Sequence, residues 1–164
     1  PAYLVLEDKQ IAYARSLLPD AKILIMVREP AARNLSEIRM MADRSKLTVF
    51  GEQDWIDILD GVKKRHRGNY SRAIPLWQSF YGPDQLKILP FGRLKADPAG
   101  LIAEIETFIG ATPLARYASI GEAVHTTKPV DVPDWVVARA TEMAAPQKDW
   151  LIETFGADFY ASTR

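Results

Sequence analysis

The sequence predicts an α/β fold: a parallel sheet flanked by helices. Three observations carry this. Helix-like and strand-like segments alternate along the chain, and the strand-like ones are continuous apolar runs of the kind buried in parallel sheets. The first such run also gives way within three residues to a proline suited to the first turn of a helix. With 164 residues the chain has the length of one domain with a core of its own, and no repeat, low-complexity tract or linker divides it.

The elements follow in order. In "DKQIAYARSLLPD" the spacing of Ile11, Ala14, Leu17 and Leu18 predicts a helix from about Asp8 to Leu18, stopped by Pro19. Lys22 to Val27 then reads as a strand buried on both faces, bounded by Asp20 and Pro30. Pro30 opens a second helix with Ala31, Leu35, Ile38 and Ala42 as its apolar stripe. "GEQDWIDILDGVKKRHRGNY" predicts a helix over about Glu52 to Lys64 and a loop around Gly68, and "YSRAIPLWQSFYGPDQ" another, closed by Gly82-Pro83. "LKILPF" is the second strand. A helix from Pro98 turns Leu101, Ile102, Ile105, Phe108 and Ile109 inward and stops at Gly110. Residues 111 to 132 read as irregular, and the remainder as one or two helices with Pro146 as the break. Two strands are few for a complete sheet of this class, so the reading expects strands supplied from elsewhere.

Composition narrows the chemistry. The chain carries 21 basic and 21 acidic residues, a formal net charge of zero, so no global field recruits nucleic acid or an acidic membrane surface, and any anion must be held locally. It contains no cysteine, which removes disulfides and thiolate metal sites and points to an intracellular, cytoplasmic setting. The longest apolar run falls far short of the roughly 20 residues that span a bilayer. His66 and His125 are the only histidines and read as structural or solvated, so no metal site is expected. Pro1 is not a methionine, and "PAYLVLEDKQ" lacks the features of a secretory signal; the reading expects a segment ahead of it.

One stretch asks for a chemical explanation: "DAKILIMVREPAARNLSEI". Ligands of open α/β sheets bind at the carboxyl ends of strands, where Arg28 falls. Its guanidinium stays charged and can grip two phosphate oxygens together. Arg33 and Ser36, three apart, share one surface of the next helix, with Ser36 about 100° around from the buried Leu35. A hydroxyl there can donate to the anion that Arg28 holds, and the helix N-terminus adds positive potential. A plainer reading pairs Arg28 with Glu29 or another carboxylate, leaves Arg33 solvated and has Ser36 merely tolerated. Spacing alone leaves both open.

These residues carry a family resemblance. "LPDAKILIMVREPAARNLS" resembles the 3′-phosphate-binding segment of sulfotransferases that use 3′-phosphoadenosine 5′-phosphosulfate (PAPS): strand, Arg, Pro two residues later, Ser eight residues after the Arg. "GNYSRAIPLWQSFYGPDQLKILPFGRLKADPAGLIAEIETFIGAT" resembles the family's Gly-x-Tyr, helix, strand, Asp-Pro and Phe-(Leu/Ile)-Gly order, and "KDWLIETFGADF" its C-terminal helix. The resemblance implies a sulfotransferase, P-loop NTPase-like fold, with residues 1–164 as the C-terminal part of a single such domain. It implies PAPS as donor, 3′,5′-ADP as product, no metal, and a hydroxyl or amine acceptor on a small molecule or glycan. It further implies that Arg28 and Ser36, with Arg33, hold the 3′-phosphate.

Lys128, in "VHTTKPVDVP", stands where family members bring a basic loop over that phosphate, although no Gly lies beside it here. Tyr70 reads as a packing residue and Trp77 as core. Gly92 and Arg93 occupy a position that is acidic in many members, and no catalytic role is carried to it. The cluster "KKRHR", residues 63 to 67, reads as a helix end favoured by the macrodipole, with contact to an acidic glycan acceptor as its alternative. None of the nine glycines forms a lysine-bearing phosphate loop. The resemblance therefore places the catalytic groups in a missing N-terminal segment and expects this fragment alone to be inactive. A membrane anchor in that segment would shift the setting to a Golgi-type lumen. The competing functions are a P-loop kinase and a non-catalytic module that binds a nucleotide or an anionic glycan.

Overall fold

The computed structural model describes residues 2–118, 120 and 130–164. A short 3-10 turn, Ala2–Val5, leads into α1 (Asp8–Leu17), β1 (Ile23–Val27), α2 (Pro30–Ser45), α3 (Glu52–Arg65) and α4 (Tyr70–Phe80). Then come β2 (Leu86–Pro90), α5 (Arg93–Ala96), α6 (Pro98–Ile109), α7 (Asp134–Phe155) and α8 (Ala157–Ala161). The two strands pair in parallel, from Ile23 opposite Leu86 to Val27 opposite Pro90. This is the α/β arrangement that the alternation of segments predicts, and the expected helix and strand bounds hold to within a residue or two.

The caps explain why the helices begin where they do. Pro30 takes the first position of α2, and the Glu29 carboxylate accepts from the N–H groups of Ala31 (3.2 Å) and Ala32 (2.6 Å). Pro98 and Asp97 repeat the device at α6, where Asp97 accepts from Gly100 N–H at 2.9 Å. The Asn69 amide oxygen caps α4 by accepting from Arg72 N–H at 3.2 Å.

The core lies in two clusters. One joins Ile25 and Val27 of β1 to Ile11, to Tyr70, Ile74 and Trp77 of α4, and to Leu151 and Tyr160. The other joins α2, α3 and α7 through Ile38, Trp55, Leu59, Val136 and Ala140.

Four expectations need correction. The first strand is buried on one face only: Val27 is fully buried but Leu24 is 37% exposed, because the covering helices gather on the Ile25 and Val27 side. In α1 only Ile11 is buried, and Leu17 and Leu18 lie exposed near its end. In α6 Leu101 alone is fully buried, while Ile109 is exposed. Pro146 does not break the C-terminal helix. It sits on the exposed side of α7, where water can satisfy the carbonyl of the equally exposed Glu142, while Ala140, Ala144 and Leu151 hold the opposite face.

Candidate functional site

The carboxyl ends of the two strands are locked side by side. Phe91, the residue after β2, donates its N–H to the carbonyl of Val27 at 2.8 Å, so Phe91 and Arg28 leave the sheet together. The Arg28 guanidinium lies over the Phe91 ring, 5.1 Å from its centroid, within reach of a cation–π attraction. Arg28 forms no ion pair among the described residues. Its neighbour Glu29 is spent elsewhere: besides capping α2 it accepts from the Tyr160 hydroxyl at 2.9 Å. The plainer reading, an Arg28–Glu29 pair, is therefore not what the chain forms.

Arg28, Arg33 and Ser36 line one cavity of about 300 Å³, with Met26, Glu37, Met40, Arg67, Tyr70 and Phe91 completing its wall. The three described residues expected at the anion site are thus brought together. Arg33 is neither solvated nor uncommitted: at 3.1 Å it meets the buried Glu37 carboxylate, whose other oxygen has Arg65 at 3.7 Å. Lys128 lies outside the described residues. On its other side Arg28 borders a larger hollow of about 550 Å³, with Lys95, Lys148 and Arg164 among its lining residues.

Tyr70 does more than pack. Its hydroxyl accepts from the Arg28 backbone N–H and donates to the Arg28 carbonyl, each at 3.2 Å. Burial pushes the phenol above its ordinary pKa, and the smaller opposing pulls of the hydrogen bond to the Arg28 backbone and of the Arg33 charge do not reverse this. The group keeps its proton and can play both parts. The Gly-x-Tyr step marked this tyrosine in the sequence, but nothing local could show that it reaches across 42 positions to the strand exit.

The C-terminal residues tie the two strand exits to one another. Glu29 N–H donates to the carbonyl of Thr163 and Gly92 N–H to that of Ser162, both at 3.0 Å. Gly92 must be glycine for this: a Cβ there would stand 2.1 Å from the Arg164 carbonyl oxygen and 2.5 Å from that of Ser162. Arg93 turns away into an ion-pair group with Glu104 and Asp97, and Lys87 meets Glu104 at 2.9 Å. Trp77 is buried, as expected of a core residue, and its indole N–H donates to the Tyr3 carbonyl at 3.3 Å. "KKRHR" is a helix end: Lys63, Lys64 and Arg65 form the last turn of α3, and His66 closes it in the left-handed region at φ 50°.

Among the described residues no cluster of three or more His, Cys, Asp or Glu could hold a metal, and no helix is long and apolar enough to cross a membrane.

Residues 8–114 match the model of the sulfotransferase family. The chain belongs to that family. A mouse relative, bifunctional heparan sulfate N-deacetylase/N-sulfotransferase 4, is 27% identical to this sulfotransferase chain over 116 residues, which are 64% of the chain and 13% of the relative. The crystal structure of a sulfotransferase from Alicyclobacillus acidocaldarius superposes with a TM-score of 0.70 at 20% identity, covering 99% of this chain and 65% of that one. That likeness supports the fold. The chain spans a small part of the mouse relative and about two-thirds of the bacterial structure.

Proposed function

We propose that this sulfotransferase chain forms the part of the enzyme that binds the 3′-phosphate of PAPS, and that the complete enzyme passes the sulfuryl group to a hydroxyl or amine of a small-molecule or glycan acceptor, releasing 3′,5′-ADP. The observation that carries the proposal is Arg28: a half-buried guanidinium with no described ion-pair partner, at a strand exit, facing a cavity it shares with Ser36. In-line sulfuryl transfer spreads charge over the donor oxygens and leaves a phosphate behind, so catalysis rests on positioning and on cationic stabilisation. Arg28 supplies a bidentate grip and Ser36 an O–H donor. Arg33, held by Glu37, contributes field rather than a mobile charge. Lys128 is proposed as a further cation over the phosphate.

The groups that act at the sulfur are assigned to sequence outside residues 1–164, because no lysine-bearing phosphate loop occurs within them. On this reading the chain by itself binds 3′,5′-ADP and turns nothing over. The proposed setting is cytoplasmic.

The test is binding. 3′,5′-ADP should raise the melting temperature of the chain while ATP, which lacks a 3′-phosphate, should not. Arg28→Ala should weaken 3′,5′-ADP by roughly ten- to a hundredfold, since charge-assisted bonds contribute about 1.5–3 kcal/mol each and about 1.4 kcal/mol is tenfold. Ser36→Ala should act in the same direction and less. Equal stabilisation by ATP, or an unchanged constant for Arg28→Ala, would overturn the proposal and leave a nucleotide- or glycan-binding module as the better description.

A further inference from the structure

The charges around the cavity are unevenly spent. Glu37 is the one carboxylate in its wall, and it faces two guanidiniums, those of Arg33 at 3.1 Å and Arg65 at 3.7 Å. Its single negative charge cannot neutralise both. Arg28 and Arg67, the other two cations of the wall, form no ion pair among the described residues. Both are half-buried rather than extended into solvent. Two uncommitted guanidiniums lining one hollow, with further positive charge behind them, make it a favourable place for an anion.

Arg67 reaches this position by a fixed route. α3 ends in the left-handed conformation of His66, Asn69 N–H returns to the His66 carbonyl at 3.1 Å, and α4 starts at once on its Asn69 cap. The turn is pressed against α2: a Cβ on Gly68 would come to 3.2 Å from Arg33 Nη1 and 3.5 Å from Asn34 Oδ1. Two helix ends and a close approach to α2 therefore set where Arg67 leaves the backbone. Of the run "KKRHR", only Arg67 lines the Arg28 cavity.

We infer that Arg67 is a second guanidinium ligand of the anion held by Arg28, and that the cavity selects a dianionic phosphate monoester over a singly charged group. This rests on the donor-binding reading of the cavity. A monoester dianion can accept from both guanidiniums and balance both charges, whereas a carboxylate or a phosphodiester leaves one charge uncompensated.

Calorimetry on the chain and its Arg67→Ala and Arg67→Lys variants, with 3′,5′-ADP and 3′,5′-cyclic AMP, whose phosphodiester carries a single charge, as probes, tests this. The expected result is much weaker binding of the cyclic nucleotide than of 3′,5′-ADP to the unaltered chain, a loss of roughly tenfold or more for 3′,5′-ADP in Arg67→Ala, and smaller losses in Arg67→Lys and for the cyclic nucleotide, with no change in melting temperature. An unchanged 3′,5′-ADP constant in Arg67→Ala, alongside a weakened one in Arg28→Ala, would overturn the Arg67 assignment and leave the donor site standing. Equal losses for both probes together with a lower melting temperature would make Arg67 a structural residue and would overturn it too. Failure of the unaltered chain to bind 3′,5′-ADP would overturn the donor-binding reading itself.

Discussion

Tyr70→Phe separates packing from positioning at the strand exit. The substitution keeps the ring, which is 1% exposed, and removes only the hydroxyl that bridges the Arg28 N–H and carbonyl. Both bonds measure 3.2 Å, the long end of the range for the N–H donor and longer than usual for the hydroxyl donor, so each belongs in the lower part of the usual net contribution, about 0.5–1 kcal/mol. The sum is about 1–2 kcal/mol. For a chain of this size that corresponds to a fall in melting temperature of about 2–8 °C. The phenol stays protonated across the neutral range, so the difference from the unaltered chain should be flat between about pH 5 and 9. The same variant should weaken 3′,5′-ADP by up to about tenfold, because a strand exit without its tether must be ordered when the ligand binds. Thermal unfolding followed by circular dichroism, together with calorimetric titration, measures both effects. An unchanged melting temperature would refute the two-bond account. A lower melting temperature with an unchanged 3′,5′-ADP constant would return Tyr70 to packing alone.

Two further predictions address the frame around the site. The hydrogen bond from Lys87, and then that from Arg93, hold the Glu104 carboxyl below its ordinary value of 4.5, so the stability they lend is full above that value and is lost as pH falls through the lowered one. Chemical denaturation at neutral and acid pH should show the gap between the unaltered chain and Glu104→Gln shrinking as pH drops below 4.5, and a gap that stays constant would refute the linkage. Gly92→Ala must push residues 162–164 away from the strand exit, since its Cβ would meet the backbone carbonyl oxygens of Ser162 and Arg164, the first of which is held by the Gly92 N–H itself. It should cost about 1–3 kcal/mol and expose residues 157–164 to limited proteolysis, and a variant as stable and as resistant as the unaltered chain would rule this out.

What the sequence made legible was local. The apolar run at Ile23–Val27, the Pro30 start of α2 and the Asp97-Pro98 start of α6 each specify their own backbone, and all three stand where expected. Arg28, Arg33 and Ser36 fall within nine consecutive residues, so strand-then-helix geometry alone put them near one another. Other features depend on distant partners. The destination of the Glu29 carboxylate is decided by Tyr160 as well as by its own helix, and Arg33 is held by a buried Glu37 that Arg65 of α3 also meets. Arg67 and Phe91 come to the cavity from separate loops, and no periodicity relates them to Arg28. The misjudged faces of α1, α6 and β1 share one cause: an apolar stripe shows which side can be buried, while neighbouring elements decide how much of it is.

The clasp formed by Ser162 and Thr163 bears on how the protein folds. Glu29 and Tyr160 are bonded across 131 positions, and the carbonyls of Ser162 and Thr163 close over the strand exits beside them. Contacts this remote in sequence form only once the late residues are available, after the cost of closing a long loop has been met. The clasp is therefore among the contacts of this fold that close slowest, while the Tyr70 hydroxyl holds the Arg28 backbone from a nearer part of the chain. Loss of the Ser162 and Thr163 carbonyls would spare most helices while leaving the two strand exits unclasped.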